Sequence, residues 1–490
     1  MPLFPFDNTY ARLPDRFYTR VAPTPVRAPR IVKVNRALAE LLRADVDRLD
    51  SPEGADVLAG NAVPEGAEPI ALAYAGHQFG GFVPQLGDGR ALLLGEVVGR
   101  DGRRRDIQLK GSGRTPFSRS GDGRAAIGPV LREYVVSDAM AAMGIATTRS
   151  LAAVTTGEPV IRDETLPGAV LTRVASSHLR VGTFQYFAAR RDKEALVLLT
   201  AYAIDRHYPD AASAENPALA LVDRMATAQA ELVASWLGVG FVHGVMNTDN
   251  CSIAGETLDY GPCAFLDEFD PTKKFSSIDH GGRYAFGHQP RIAQWNVARF
   301  AEALLPLLAE DEEQAVSLAT SAIERFAPAF EAAYGRVVRR KLGLVAERAG
   351  DVALADDLFE RLATSAVDYT VFFRKLCACA ADPAADAEAA GLFADPGAFY
   401  DWALAWRKRL TEEAASPDER AAGMRRTNPA FIPRNHRIEQ AIVAAEQGDF
   451  APFEQLVRVL ARPYDDQPGD AALALPPSPH ERVRATFCGT

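Results

Sequence analysis

Residues 243–250 read HGVMNTDN: a His, an Asn seven residues later, and an Asp directly before that Asn. Nine residues further on, Asp259 opens an Asp-Tyr-Gly tripeptide. Asn250 and Asp259 carry hard oxygen donors, the kind that hold Mg²⁺ against phosphate groups. Asp249 is the carboxylate in the loop that could accept a hydroxyl proton, help worth typically ~10²–10⁴-fold in rate; as a plain loop residue it would cap or hydrogen-bond the turn. Upstream, Lys110 closes the apolar run DIQLK, and Glu133 lies in VLREYVVSDAMAAMG. A strand Lys held by a helix Glu would set a fixed cation against a phosphate. Taken singly, Lys110 also fits a solvated strand end and Glu133 a surface carboxylate. Gly87 and Gly89 flank an Asp in QLGDGRALLLGE, where glycine would let backbone approach phosphate oxygens, although the same turn serves a simple hairpin.

The order of these features, Gly turn, Lys strand, Glu helix, His-to-Asn loop and Asp-aromatic-Gly, is the order of the kinase superfamily. In that superfamily the base stands two residues after the His. Here that position is Val245, which neither accepts a proton nor binds a cation. From the residues alone, two readings stay open: a phosphotransferase using Asp249 as a displaced base, and a nucleotide-binding pseudokinase scaffold without turnover.

These groups need a frame to hold them. Between about 68 and 185 the chain is rich in glycine and in short apolar runs such as RALLLGEVV, RDIQLKG and GAVLTRVA, the pattern of strands punctuated by turns. One long helix interrupts them, with Val130, Leu131, Tyr134, Val135 and Met140 near one face and Gly144 as its stop. From 190 onward the spacing is helical in KEALVLLTAYAIDRHY, ALVDRMATAQAELVASWLGVG, IAQWNVARFAEALLPLLAE and the long stretch EQAVSLATSAIERFAPAFEAAYGRVVRRKLG. The expected fold is α+β and bilobal, protein-kinase-like: an N-terminal extension over 1–67, a nucleotide-binding N-lobe over 68–185, and a helical C-lobe over 186–490 carrying the HGVMNTDN loop.

At 490 residues, with 48% hydrophobic and 24% charged residues, the chain can bury a large core. Its 54 basic and 64 acidic residues give a net charge of -10, which argues against a nucleic-acid or anionic-membrane surface. The first residues lack the basic and apolar regions of a signal peptide and no segment reads as a membrane span, so a cytoplasmic location is expected. The five cysteines, 251, 263, 377, 379 and 488, are too scattered for a disulfide framework. Cys377 and Cys379 sit two apart on a helix, so they cannot share a zinc ion and read as buried thiols; Cys488 reads as a free thiol in the tail.

The stretches YAGHQFGGFVPQLGDGRALLLGE, QLKGSGRTPFSRSGDGRAAIGPVLREY, HGVMNTDNCSIAGETLDYGPCAFLD and NPAFIPRNHRIEQAI closely resemble the selenoprotein O family of kinase-like proteins, and the likeness runs through almost the whole chain. The resemblance implies a protein adenylyltransferase that binds ATP inverted relative to kinases and moves AMP onto Ser, Thr or Tyr hydroxyls of proteins, itself included, releasing pyrophosphate; UTP with UMP transfer is the bacterial alternative. It implies Mg²⁺ or Mn²⁺ on Asn250 and Asp259, Asp249 as base, and Lys110 on the phosphates with Glu133 as its partner. It further implies nucleotide contacts from Gly87, Gly89, Arg90, Asp122, Gly123 and Asp259, with Arg173 and Arg180 holding phosphates. Val245 and the two extra arginines weigh against a true kinase, and the full set of metal and base groups weighs against a scaffold. Expected partners are the nucleotide and hydroxyl-bearing proteins, with no nucleic acid or membrane, and a monomeric state. In some members the C-terminal cysteine forms a redox disulfide with a cysteine shortly after Asp-Tyr-Gly. No cysteine lies between 264 and 376 here, so that device does not carry over directly, and Cys251 or Cys263 would have to substitute. For NPAFIPRNHRIEQAI the reading goes no further than that Arg434 and His436 are polar enough to line a cleft.

Overall fold

The structure, a computed structural model, describes residues 2–487. Its strands are β1 (Tyr18–Arg20), β2 (Arg30–Val34), β3 (Ile70–Leu72), β4 (Gly76–Gln78), β5 (Gly81–Val83), β6 (Ala91–Val98), β7 (Arg104–Lys110), β8 (Ala125–Ala126), β9 (Arg149–Ile161), β10 (Thr165–Ala175), β11 (Phe241–Val242) and β12 (Ala264–Phe265). Eight of them form one sheet in the order β1-β3-β6-β7-β10-β9-β2, with β8 against β10, and every pairing is antiparallel. The fold is mixed α and β. Residues 1–67 contribute to this sheet at both ends, β1 through β3 and β2 through β9.

The two faces of the sheet are sorted by strand alternation. One face carries Leu94, Ile107, Leu109, Val170 and Val174, and packs on α1 (Arg36–Leu41), α2 (Val46–Leu49) and α3 (Pro52–Ala59). The other presents Asp106, Gln108 and Lys110 of β7, two residues apart, next to Leu171, Arg173 and Ala175 of β10. The register sets Arg173 directly opposite Gln108. This polar face is where the charged site forms.

The long helix predicted near 130–144 is α4 (Ile127–Ala142). Gly144 follows it at φ +78°, the left-handed position that glycine fills without steric cost. The apolar positions expected on one face are all buried, but so are Arg132 and Glu133. α4 is a sandwiched helix: sheet strands cover one side, and the helices Asn435–Glu446 and Ala451–Leu460 cover the other. After it come α5 (Val181–Ala189), α6 (Lys193–His207), α7 (Pro217–Gly238) and α8 (Gln289–Leu308). The stretch 313–343, expected to be helical along its length, is two helices, Glu312–Glu324 and Phe326–Lys341. The break precedes Pro328, which has no N–H to continue a ladder and is tolerated only in a first turn. Among the described residues no helix is long and apolar enough to cross a membrane.

Candidate functional site

The residues of the 243–250 loop are fixed by their own local chemistry. His243 is buried, and burial lowers its pKa. Its Nε2 donates to the Leu258 carbonyl at 3.0 Å, and its Nδ1 accepts the Val245 N–H at 3.3 Å. One neutral imidazole therefore ties the start of the loop to the residue before Asp259. Val245 in turn offers its carbonyl to Asn250 Nδ2 at 3.2 Å, which leaves the Asn250 amide oxygen as the end suited to a cation. Asp259 holds φ +69°, a left-handed conformation that costs a non-glycine residue about 1–2 kcal/mol and is typical of functional turns.

Asp259 meets the sheet's polar face. Its carboxylate pairs with Lys110 Nζ and lies 3.6 Å from Arg173 Nη1. Lys110 also binds Glu133 Oε2 at 2.6 Å, and Arg173 takes the other oxygen of Glu133 at 3.1 Å. Glu133 is thus a buried bridge between two cations, not a surface carboxylate. Burial opposes ionisation of Asp259, but Lys110, Arg173 and Arg90 outweigh it and hold the carboxyl far below the usual range.

A chain of polar contacts extends this cluster across the sheet. Arg173 donates to Gln108 Oε1 at 2.7 and 3.2 Å, and Gln108 Nε2 donates to Asp88 at 3.3 Å. Asp88 lies 3.7 Å from Arg180 Nη2, and that guanidinium sits 4.2 Å from the Tyr74 ring centroid. Burial works against the charge of Arg180, yet Tyr74, Asp88, Asp259 and Asp249 more than offset it and raise its pKa. Its Nε remains buried without an acceptor, an unmet donor of the kind an incoming anion would satisfy.

Asp249 stands apart from the ion cluster. It is buried against Gly76, where a Cβ would come within 2.6 Å of Oδ1. Gln78 Nε2 donates to its Oδ2 at 3.2 Å, while Oδ1 has no partner. Burial, only partly countered by Gln78, pushes its pKa up to about 6. The β4–β5 hairpin clamps the whole loop: His77 N–H donates to Thr248 Oγ1 at 2.7 Å, and Phe79 N–H donates to Asn247 Oδ1 at 3.0 Å. Tyr284 OH reaches the same Asn247 oxygen at 2.6 Å.

The glycine turn packs on the loop that follows Lys110. Gly87 has φ +79°, and a Cβ there would overlap the Phe117 ring at 2.3 Å; a Cβ at Gly89 would meet the Phe117 carbonyl at 3.0 Å. Gly123 accepts the Gly113 N–H at 3.0 Å. The carboxylate of Asp122 faces outward, where Arg162 holds it at 2.9 and 3.1 Å, so it is not joined to the Lys110 cluster. Lys110, Glu133, Arg173, Asp259 and, through Asp88, Arg180 are brought together. Asp88, Gln108, Tyr74 and Gln78 escaped the sequence reading, although Asp88 sits between the two glycines it singled out.

Arg434 and His436 do not line a cleft. Arg434 is buried, with Asp267 at 2.8 Å and Asp368 at 2.7 Å, and its neighbour Asn435 takes the Phe265 N–H at 3.2 Å and donates to the Phe265 carbonyl at 2.9 Å. His436 is buried as well, with neither ring nitrogen bonded. The motif staples the chain just beyond Asp-Tyr-Gly. Cys251, Cys263, Cys377 and Cys379 are all free and buried, and burial pushes the first two thiols up to about 12. Cys488 lies outside the described residues.

Two oxygen donors, one ionised and one a neutral amide, suit a hard cation that completes its shell with phosphates and water. Among the described residues no group of three or more His, Cys, Asp or Glu forms a metal cage, so any ion here would depend on such outside ligands.

Comparison with known proteins gives one consistent result. Residues 3–461 match the family described as protein adenylyltransferase SelO. The protein nucleotidyltransferase YdiU of Methylorubrum populi is 65% identical over 495 aligned residues, covering 100% of this chain and 99% of its own. Proteins of the same name from Rhodopseudomonas palustris and a Bradyrhizobium species are each 62% identical over 488 residues, covering 99% of both chains.

Proposed function

Since the chain belongs to the protein adenylyltransferase SelO family, we propose that this nucleotidyltransferase moves AMP from ATP onto Ser, Thr or Tyr hydroxyls of proteins, with UTP and UMP as the alternative pair. The observation that carries the reading is Arg173, which shares Glu133 with Lys110 and also approaches Asp259. A kinase places its phosphates with one Lys–Glu pair beside its glycine loop and metal ions. A second fixed cation on the same carboxylate, with Arg180 beyond it, supplies charge for a triphosphate tail that points inward, and this leaves the α-phosphate facing the acceptor.

In this reading the acceptor oxygen attacks the α-phosphorus and the bond from that phosphorus to the β-phosphate bridging oxygen breaks. Pyrophosphate leaves, and Asp249 takes the hydroxyl proton. A carboxyl with a pKa of about 6 is ionised at neutral pH yet more basic than an exposed Asp, as a general base requires. Mg²⁺ or Mn²⁺ held by Asn250 and Asp259 would neutralise phosphate charge as it develops. Lys110, Arg173 and Arg180 hold the leaving pyrophosphate in place through charge-assisted hydrogen bonds. Gly87, Gly89, Arg90 and the Asp122–Gly123 turn form the rim around the nucleotide. The sheet region 68–185 acts as the nucleotide-binding lobe of a kinase-like bilobal fold, residues 186–490 as the helical lobe, and residues 1–67 as its extension.

The test is label transfer with Mg²⁺ and ATP labelled on the α- or the γ-phosphate, alongside Asp259→Ala. Label from the α position on protein, absent in Asp259→Ala, is the expected result. Transfer of the γ label instead would make the chain a phosphotransferase and overturn the proposal.

A further inference from the structure

Beyond Asp249, on the far side of the β4–β5 hairpin, lies a ledge that the transfer chemistry does not use. Alternation along β4 turns Gln78 toward Asp249 and His77 the opposite way. His77 lies against Phe82, which is 41% exposed, with the ring centroids 4.9 Å apart and the planes tilted by 46°, and it meets Trp295 edge-on at 5.3 Å. Arg283 lies 4.6 Å from the Trp295 ring centroid and 5.7 Å from that of Tyr284. Its own charge is not neutralised: among the described residues no carboxylate comes within ion-pair distance of it. Its Nε and Nη2 are buried without an acceptor, so Nη1 is the end of this half-buried side chain that an outside carboxylate can reach. Nearby Asp279 is spent on the backbone N–H groups of Arg283 and Tyr284, at 2.9 and 2.8 Å. Arg299, 5.4 Å from the same ring centroid, is already paired with Glu302 at 2.8 Å.

An unpaired guanidinium stacked on an aromatic ring, beside an exposed Phe, is built to receive a carboxylate on an otherwise apolar contact. In a chain of net charge -10, leaving this cation without an internal partner keeps it available for an outside one. The ledge is also mechanically joined to the base. Tyr284, next to Arg283, holds Asn247 of the catalytic loop, and the His77 backbone holds Thr248. Arg283 touches none of Lys110, Arg173 or Arg180, the groups that would hold nucleotide.

We propose that the ledge formed by Phe82, Arg283 and Trp295 docks the acceptor polypeptide, and that Arg283 binds an Asp or Glu side chain lying near the acceptor hydroxyl in sequence. This makes the enzyme selective for hydroxyls in acidic segments, and it rests on the nucleotidyl-transfer reading above.

The experiment measures α-label transfer from ATP to synthetic peptides that share one Ser, Thr or Tyr and differ in Asp, Gln or Lys at flanking positions. It uses the full chain and the variants Arg283→Gln and Arg283→Glu. Wild type should favour an Asp-flanked peptide; Arg283→Gln should raise KM for that peptide by about tenfold, the scale of one charge-assisted contact, with KM for ATP held. Arg283→Glu should turn the preference toward the Lys-flanked peptide, a gain that a damaged fold cannot produce. Equal use of all peptides by wild type, or a change in KM for ATP instead of for peptide, would overturn the proposal. Absence of α-label on every acceptor, the enzyme itself included, would remove the underlying reading and this proposal with it.

Discussion

Replacing Gln78 with Met should move the pH dependence of transfer in a direction that follows from one hydrogen bond. Gln78 Nε2 is the side-chain donor on the Asp249 carboxylate, at 3.2 Å, and the other carboxylate oxygen has none. A hydrogen bond to a charged acceptor contributes about 1.5–3 kcal/mol; at this length the lower end applies, which corresponds to about one pKa unit. Gln78 favours the ionised form, so its loss raises a pKa that burial has already pushed up to about 6. Asp249 acts as a base only when ionised, so activity rises with pH through this value. The acid limb of kcat/KM, which reports the free enzyme, should therefore shift from about pH 6 to about pH 7. At pH 6.5 the ionised fraction falls about threefold, whereas near pH 8.5 the two proteins differ little. Label incorporation from α-labelled nucleotide between pH 5 and 9 reads this directly. A limb that stays in place or moves to lower pH would refute Asp249 as the titrating base.

Two further outcomes concern stability. Burial raises the folded-state pKa of Asp249 above the ordinary Asp value, to about 6, so the carboxyl favours folding when protonated, and this contribution is lost as pH rises from about 4 through about 6, by at most about 3 kcal/mol. Asp249→Asn should abolish transfer yet raise the denaturation midpoint more at pH 8 than at pH 5. Arg434→Met should lower stability by about 3 kcal/mol, the lower end for breaking a buried pair, because it leaves the largely covered Asp267 and Asp368 unpaired; a denaturant melt within about 1 kcal/mol of wild type would refute a structural staple.

What the sequence revealed was set by how local each signal is. His243, Asn250 and Asp259 could be read because one loop and a short connection fix their spacing, and α4 because its apolar positions and Gly144 stop lie within a few turns. Glu133 could be named but not placed: its neighbours are equally consistent with a surface helix, and only the two helices near the C-terminus that cover α4 make it buried. Gln108 was invisible for a related reason. Nothing along β7 marks it, and its role depends on the β7–β10 register that brings Arg173 opposite, 65 residues away. β1 and β2 are strands of three and five residues whose partners lie far along the chain, so their pattern was too short to reveal that residues 1–67 complete the sheet. Arg434 was noticed as polar and given the wrong surroundings, because its two carboxylate partners are 167 and 66 positions away.

The two carboxylates that matter most are ten positions apart and are the same residue type. Folding separates them. Asp259 sits among Lys110, Arg173 and Arg90, which keep it ionised across the working pH range; Asp249 sits against Gly76 with one weak donor, and burial lifts it toward neutrality. A carboxylate that cannot be protonated is suited to hold charge opposite phosphate and a cation, and one poised near 6 is suited to exchange a proton. Opposite shifts in neighbouring acids support the two roles proposed for them. In the proposed mechanism this is how the loop does without an acid at Val245: the base is Asp249, four residues along and against the β4 hairpin, where burial can tune it.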